Sequence, residues 1–219
     1  MGGVGSKGLV LLRTIPLFSG VCDPELEQIA GVAAHLKVSR GTVIVRSGDP
    51  TDSLYILING SARVMNSDEE GREVILSILG PGDFFGEMGL IDGSPRSADV
   101  VAAESCELLV ISKADFKRCL QENFEVALNI MKRLVERLRE ADRKIESLAL
   151  MDVYGRVAKL LLDVSEIHDG RRIIPRRLTK QDIAKMIGAS REMVSRVMKD
   201  LEGSGYILVD DGQIVLNEQ

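Results

Sequence analysis

From Lys113 to Leu150 the chain contains neither glycine nor proline. Ala127, Met131, Leu134, Leu138, Ala141, Ile145 and Leu148 recur inside that stretch at alternating intervals of four and three residues, the spacing of a and d positions through three heptads. Charged residues flank them, among them Lys132, Arg133, Glu136, Arg137, Arg139, Glu140 and Arg143. The pattern predicts one long helix over 113–151. A helix with such a seam buries it against an identical neighbour, so a parallel two-stranded coil and a homodimer are expected. The helix also divides the chain: residues 1–112 and 152–219 form separate domains on either side.

Before the helix the periodicity is that of strands. Thr42-Val-Ile-Val-Arg46, Leu54-Tyr-Ile-Leu-Ile58, Arg63-Val-Met65, Val74-Ile-Leu-Ser-Ile78 and Leu108-Leu-Val-Ile111 are short apolar or alternating runs. Gly48, Gly60, Gly71, Gly82 and Gly93 punctuate them every eleven or twelve residues. Short strands with regular turn signals predict an antiparallel sandwich or barrel. Residues 9 to about 36 read instead as short amphipathic helices, broken at Pro16 and restarted at Cys22-Asp23-Pro24-Glu25.

After the helix, Asp152-Val-Tyr-Gly-Arg156 breaks the heptad and reads as a hinge. A second helix presents Val157, Leu160, Leu161, Val164 and Ile167, and His168-Asp-Gly-Arg171 reads as a turn. Thr179 caps the next helix with Asp182 in a box position, Ile183, Ala184 and Ile187 face inward, and Gly188 ends it. Ser190 caps a further helix with Val194, Val197, Met198 and Leu201 inside, leaving Arg191, Glu192, Ser195, Arg196 and Lys199 outside. That is a helix-turn-helix, and the hairpin read over 205–216, turning at Asp211-Gly212, makes it a winged one.

The charge distribution agrees. The net charge is −5, yet Arg171–Lys199 holds nine basic residues against Asp182 and Glu192, a local +7 on a body of about −12. At the start of the outer helix, arginine can bond guanine O6 and N7 and glutamate can accept from cytosine N4. Ser190 and the N–H groups near it suit a phosphate.

Other classes find little support. Cys22, Cys106 and Cys119 lie far apart with no C-x-x-C, and His35 and His168 are isolated, so neither a disulfide framework nor a metal site is expected. No apolar run reaches the roughly 18 residues of a membrane span. Leu9-Val-Leu-Leu12 is too short for a secretory leader core, which makes the expected location cytoplasmic. No nucleophile–base pair or P-loop is visible, and the protein is not expected to be an enzyme.

Three segments resemble the cAMP receptor protein (CRP/FNR) family of bacterial regulators: Phe85-Gly-Glu-Met-Gly-Leu-Ile-Asp-Gly-Ser-Pro-Arg-Ser-Ala98, Asp152-Val-Tyr-Gly-Arg-Val-Ala158 and Gly188-Ala-Ser-Arg-Glu-Met-Val-Ser-Arg196. The resemblance runs over nearly the whole chain. It implies an α+β protein with an N-terminal antiparallel β-roll of the cyclic-nucleotide-binding jelly-roll type, a dimerisation helix and a C-terminal winged helix-turn-helix. Base reading falls to Arg191, Glu192, Ser195 and Arg196, and phosphate contact to Thr179, Lys180, Ser190 and Lys199. Glu192-x-x-Ser195-Arg196 also fits the FNR-type pattern, which leaves the half-site open between two subclasses.

In the same resemblance Gly86 to Ala98 is a cyclic-nucleotide phosphate cassette. Gly86 permits close backbone approach. Glu87 accepts a ribose 2′-hydroxyl, and Met88, Ser97 and Ala98 line the site. Arg96 offers a bidentate fork to the phosphate. The base half falls on Arg137, Ala141 and Asp142, and it departs from the family pattern: the Thr-Ser pair that meets adenine in cAMP-binding relatives is Ala141 and Asp142 here. Cyclic AMP is the first expectation for the effector, with cyclic GMP and cyclic di-GMP open. A constitutive regulator with an inactive pocket is a second reading, and a nucleotide-binding regulatory subunit of a partner enzyme a third. The cysteine cluster of the iron–sulfur branch is missing, and neither histidine is placed for haem, so no prosthetic group is expected. The implied partners are a two-fold operator in duplex DNA, a second copy of the chain and RNA polymerase.

Overall fold

Strands whose two faces are both buried read as continuous apolar runs, and the two longest such runs form the centre of a sheet. In the computed structural model, which describes residues 6–175, 178–210 and 213–217, these are β3 (Ser53–Asn59) and β8 (Cys106–Ser112). They pair antiparallel, with Tyr55 opposite Val110. β1 (Ala34–Val38) and β6 (Phe84–Phe85) complete a sheet of order β1-β8-β3-β6. A second sheet has the order β2-β7-β4-β5, from β2 (Val43–Val45), β4 (Ala62–Ser67), β5 (Glu73–Leu79) and β7 (Asp99–Ala102).

Alternation along each strand builds two cores from the first sheet. Leu57, Phe85, Cys106 and Leu108 face one way and pack with Val45, Ala62, Leu79, Val100 and Ala102 of the second sheet. Leu54, Ile56, Phe84, Leu109 and Ile111 face the other way, toward helices. Those helices are α1 (Ser6–Arg13), α2 (Asp23–Val32), α4 (Lys113–Glu122) and the first part of α5 (Phe124–Leu150), with a 3-10 turn at Pro16–Phe18. The short helix α3 (Glu87–Asp92) lies between β6 and β7 in sequence. The N-terminal half is thus the antiparallel roll that was expected, although β1 begins at Ala34, inside the segment read as helical.

The long helix is not continuous. Asn123 is extended (φ −129°, ψ 96°) and its N–H closes α4 on Cys119 O. Asparagine competes with helical hydrogen bonding without being a breaker as glycine and proline are, so the absence of those two gave no warning. The break lets α4 bury Phe116 and Cys119 while α5 buries Val126 and Ile130 in the same core.

The chain divides into two compact units, Met1–Leu138 and Arg139–Gln219. In the second, α6 (Val153–Asp163), α7 (Lys180–Ile187) and α8 (Arg191–Gly203) enclose Val157, Leu161, Ile183, Ala184, Ile187, Val194, Met198 and Leu201. Asp152 caps α6, accepting from Gly155 N at 2.8 Å. β11 (Ile207–Asp210) and β12 (Gln213–Leu216) pair antiparallel as the wing, and Asp211-Gly212, where the hairpin turn was expected, lies outside the described residues. The turn at His168–Arg171 joins two further strands, β9 (Glu166–His168) and β10 (Arg171–Ile173), and β10 pairs with β12, so the wing sheet has the order β11-β12-β10-β9.

All three cysteines are free thiols. Burial pushes Cys106 above its ordinary pKa and Cys119 up to about 11, whereas Cys22 is exposed. The native protein should therefore release one equivalent of chromophore per chain with Ellman's reagent at pH 8, from Cys22, and the other two only on unfolding. Rapid reaction of a native Cys22→Ser variant would contradict this packing.

Candidate functional site

The cassette is assembled from two loops far apart in sequence. The loop before β3 and the loop before β7 are zipped through Arg96, whose N–H donates to Asp49 O at 2.9 Å and whose carbonyl accepts from Gly48 N at 2.8 Å. Thr51 Oγ1 donates to Ser94 O at 3.0 Å, and Ser47 N donates to Asp99 Oδ1 at 2.7 Å. Gly89 on α3 sits so close that a Cβ there would be 2.2 Å from Ser94 O and 2.4 Å from Thr51 Oγ1.

Arg96 is only 7% exposed. Nη1 donates to Gly86 O at 3.0 Å, and Nη2 to Ser53 O at 2.8 Å and Asp52 Oδ1 at 3.3 Å. The guanidinium carbon lies 5.6 Å from the centroid of Tyr55, which stacks on Phe85. Burial, with the Asp52 carboxylate second, holds the Tyr55 phenol above its ordinary pKa. Arg96 Nε is buried with no acceptor. The expected bidentate fork is therefore turned onto main-chain carbonyls, because a buried guanidinium needs acceptors at every N–H it can supply. Three of its five N–H bonds are met in this way, and the one nitrogen with no acceptor at all is Nε.

Glu87 is 1% exposed, and Arg137 Nη1 donates to its Oε1 at 2.5 Å. Arg137 Nη2 also donates to the Phe84 carbonyl, and the guanidinium stands over the Phe84 ring. Arg137, expected with the base half of the site, thus anchors α5 to the cassette inside the first unit. Met88 is exposed, and Ser97 Oγ lies 3.8 Å from its Sδ, while Ala98 is buried. Ala141 and Asp142 are exposed on α5, in the second unit.

The α5 seam divides in the same way. Met131, Leu138, Ile145 and Leu148 are 49–65% exposed, and Ala127 is half-buried. Leu134, expected in the seam, packs on the core of its own domain. At 100° per residue it falls between the inward stripe of Val126 and Ile130 and the outward one. Val135, outside the heptad, is exposed beside it.

Caps position the helix-turn-helix. Thr179 Oγ1 accepts from Asp182 N at 3.1 Å, and Asp182 Oδ2 accepts from Thr179 N at 3.2 Å. Gly188 takes the left-handed conformation, φ +63°, that closes α7. Ser190 Oγ accepts from Met193 N at 3.2 Å and starts α8. Arg191, Glu192, Arg196 and Lys199 are exposed together, as are Thr179, Lys180 and Ser190. Ser195 is half-buried, and Lys180 Nζ donates to its Oγ at 3.4 Å.

A sensor roll joined to a winged helix-turn-helix defines a class, the transcription regulators that couple a cyclic-nucleotide-type domain to DNA binding. Residues 35–123 match the cyclic nucleotide-binding domain, and residues 155–219 match the Crp-like helix-turn-helix domain. The chain is 38% identical to the cAMP-activated global transcriptional regulator Vfr of Pseudomonas aeruginosa over 88% of its length and 95% of the relative's. It is 36% identical to the cAMP-activated global transcriptional regulator CRP of Pasteurella multocida, over 89% of this chain and 95% of that one. Among solved structures, the cyclic di-GMP-responsive global regulator CLP of Xanthomonas campestris superposes with a TM-score of 0.78 at 29% identity, over 90% of this chain and 100% of that one. The chain belongs to the CRP/FNR family and is a DNA-binding transcription regulator.

Asp49, Thr51, Asp52 and Ser53 went unnoticed in the sequence. Their one signal is the polar run Gly48-Asp-Pro-Thr-Asp-Ser53 ahead of a strand, which by itself reads as an ordinary turn.

Gly86 has φ +87°, and a Cβ there would stand 2.2 Å from Arg96 Nη1 and 3.0 Å from Ser53 O. Gly86→Ala should destabilise the sensor by at least about 1–3 kcal/mol from backbone strain alone, read as a lower urea midpoint. An unchanged midpoint would mean that Arg96 is not held as described.

Proposed function

We propose that the protein is a homodimeric regulator whose cassette takes a cyclic nucleotide and whose paired winged helices then engage a two-fold DNA operator. The observation that carries this reading is the buried Arg96 with its unmet Nε–H, in the same cassette as the buried carboxylate of Glu87. An unsatisfied cationic donor is costly in a protein interior, and a phosphate oxygen is the acceptor that matches it. Glu87 keeps Oε2 for a ribose hydroxyl while Oε1 holds Arg137. Cyclic AMP is the leading effector, on the likeness to the cAMP-activated relatives. Ala141 and Asp142 favour keeping guanine nucleotides in the test: Ala141 offers no side-chain hydrogen bond, and Asp142 can accept from a guanine edge as well as from an adenine amino group. The CLP likeness supports including cyclic di-GMP.

The exposed apolar residues Met131, Leu138, Ile145 and Leu148 support pairing of α5 with a second copy. Pairing would set two recognition helices about 34 Å apart, on successive major grooves. Arg191, Glu192, Ser195 and Arg196 then read bases, and Thr179, Lys180, Ser190 and Lys199 hold phosphates. RNA polymerase is the further partner such a regulator acts on.

Calorimetric titration with cAMP, cGMP and cyclic di-GMP tests the reading. One of the three should bind, and Arg96→Ala should abolish the ligand response while basal DNA contact persists. An Arg96→Ala variant activated at the wild-type ligand concentration would remove Arg96 from the site. Leu138→Arg should convert the dimer to monomer in sedimentation, and a dimer that persists would move the interface off α5. Arg191→Ala should cost about 1–3 kcal/mol on the preferred operator and relax one base position, measured by quantitative footprinting. Equal affinity on matched and mismatched sites in the wild type would instead point to non-specific binding.

A further inference from the structure

Two of the three acceptors that hold the Arg96 guanidinium are neutral main-chain carbonyls, Gly86 O and Ser53 O. The third, Asp52 Oδ1, carries charge. The ion pair is lopsided: the Arg96 side chain is 5% exposed and that of Asp52 is 80% exposed. No other carboxylate reaches Arg96 among the described residues. The carbonyls and the Tyr55 ring fix the guanidinium without help from Asp52, whose contact is the longest of the three. What Asp52 adds is mainly negative charge, at the solvent edge of a cation that still has Nε–H to offer.

We propose that Asp52 is an internal competitor for the anionic ligand, a residue that lowers the affinity of the cassette by partly neutralising Arg96 and that an incoming phosphate must outbid electrostatically. This rests on the reading of the cassette as a cyclic-nucleotide site. Asp52 acts through Arg96 and does not itself grip the ligand. Free inorganic phosphate, with no ribose for Glu87 and no base, meets that opposing charge with little else to offset it. A cyclic nucleotide brings further contacts.

The test uses the full-length protein and titrates wild type, Asp52→Asn and Asp52→Glu with cAMP, cGMP and cyclic di-GMP at low and at high salt. Asn keeps an oxygen for Nη2 and removes the charge. The nucleotide that wild type binds should bind Asp52→Asn about twofold to fivefold more tightly, the range set by a partly exposed ion pair. Asp52→Glu should return the affinity toward wild type, and the gap between Asn and wild type should narrow as salt rises, which a merely structural role would not produce. Asp52→Ser serves as a second neutral variant should Asn perturb the loop. Unchanged or weaker binding by both neutral variants, with wild-type unfolding midpoints, overturns the competitor role and leaves the nucleotide reading standing. Failure of wild type and every variant to bind any of the three nucleotides overturns that reading, and the competitor role with it.

Discussion

The sensor half of the molecule is organised around one buried guanidinium. A charged group taken out of water costs several kcal/mol unless it is paired and hydrogen-bonded. Arg96 meets that demand with two carbonyls, one carboxylate and an aromatic face. The rest of the cassette follows from the arrangement. Gly86 has no Cβ because Arg96 Nη1 occupies the space, and Gly89 has none because Ser94 O and Thr51 do. The loop before β3 is held because Arg96 bonds it through main chain and side chain alike. Loops carry unpaired backbone groups that must be satisfied somewhere, and here two loops satisfy one another.

The second organising element is α5, which serves two apolar surfaces at once. Val126 and Ile130 commit it to the core of its own domain, and Arg137 fastens it further by Glu87 and the Phe84 carbonyl. Its outward stripe is left to solvent in the single chain. An α-helix drifts relative to a strict seven-residue repeat. One helix can therefore pass from packing on its own core near Ile130 to presenting Ile145 and Leu148 outward without a kink. The ion pair of buried Glu87 with partly exposed Arg137 ties this helix to the cassette directly, so a change in how Glu87 is bonded reaches α5 through a single contact.

How much of this could be read beforehand depended on range. The helix-turn-helix was legible residue by residue, because its determinants are local: a Thr179–Asp182 box, a left-handed Gly188, a Ser190 cap and inward residues three and four apart. The strands were legible where both faces are buried, as in Leu54–Ile58, and β6 was missed because Phe84–Phe85 is too short to show a period. The break at Asn123 escaped because asparagine is tolerated in helices and only the shared core makes the turn favourable there. The cassette was visible as a motif, but the direction of the Arg96 fork was not. That direction is set by the carbonyls of Gly86 and of Ser53, the latter 43 residues earlier in the chain. No local pattern encodes such a pairing.

The same distinction bears on how a ligand could control DNA binding. Shifting a two-state protein from about 1:99 to 99:1 takes a differential affinity of about 5.5 kcal/mol. A phosphate that merely accepts from Arg96 Nε stabilises whichever state offers that N–H, and if both states offer it equally the ligand switches nothing. The differential must therefore come from groups whose partners change. Glu87 and Arg137 qualify, since one joins the cassette and the other the helix that bears the outward seam. Arg96 is held by the carbonyls of Gly86 and Ser53 within the cassette, whereas the Glu87–Arg137 contact joins the cassette to α5.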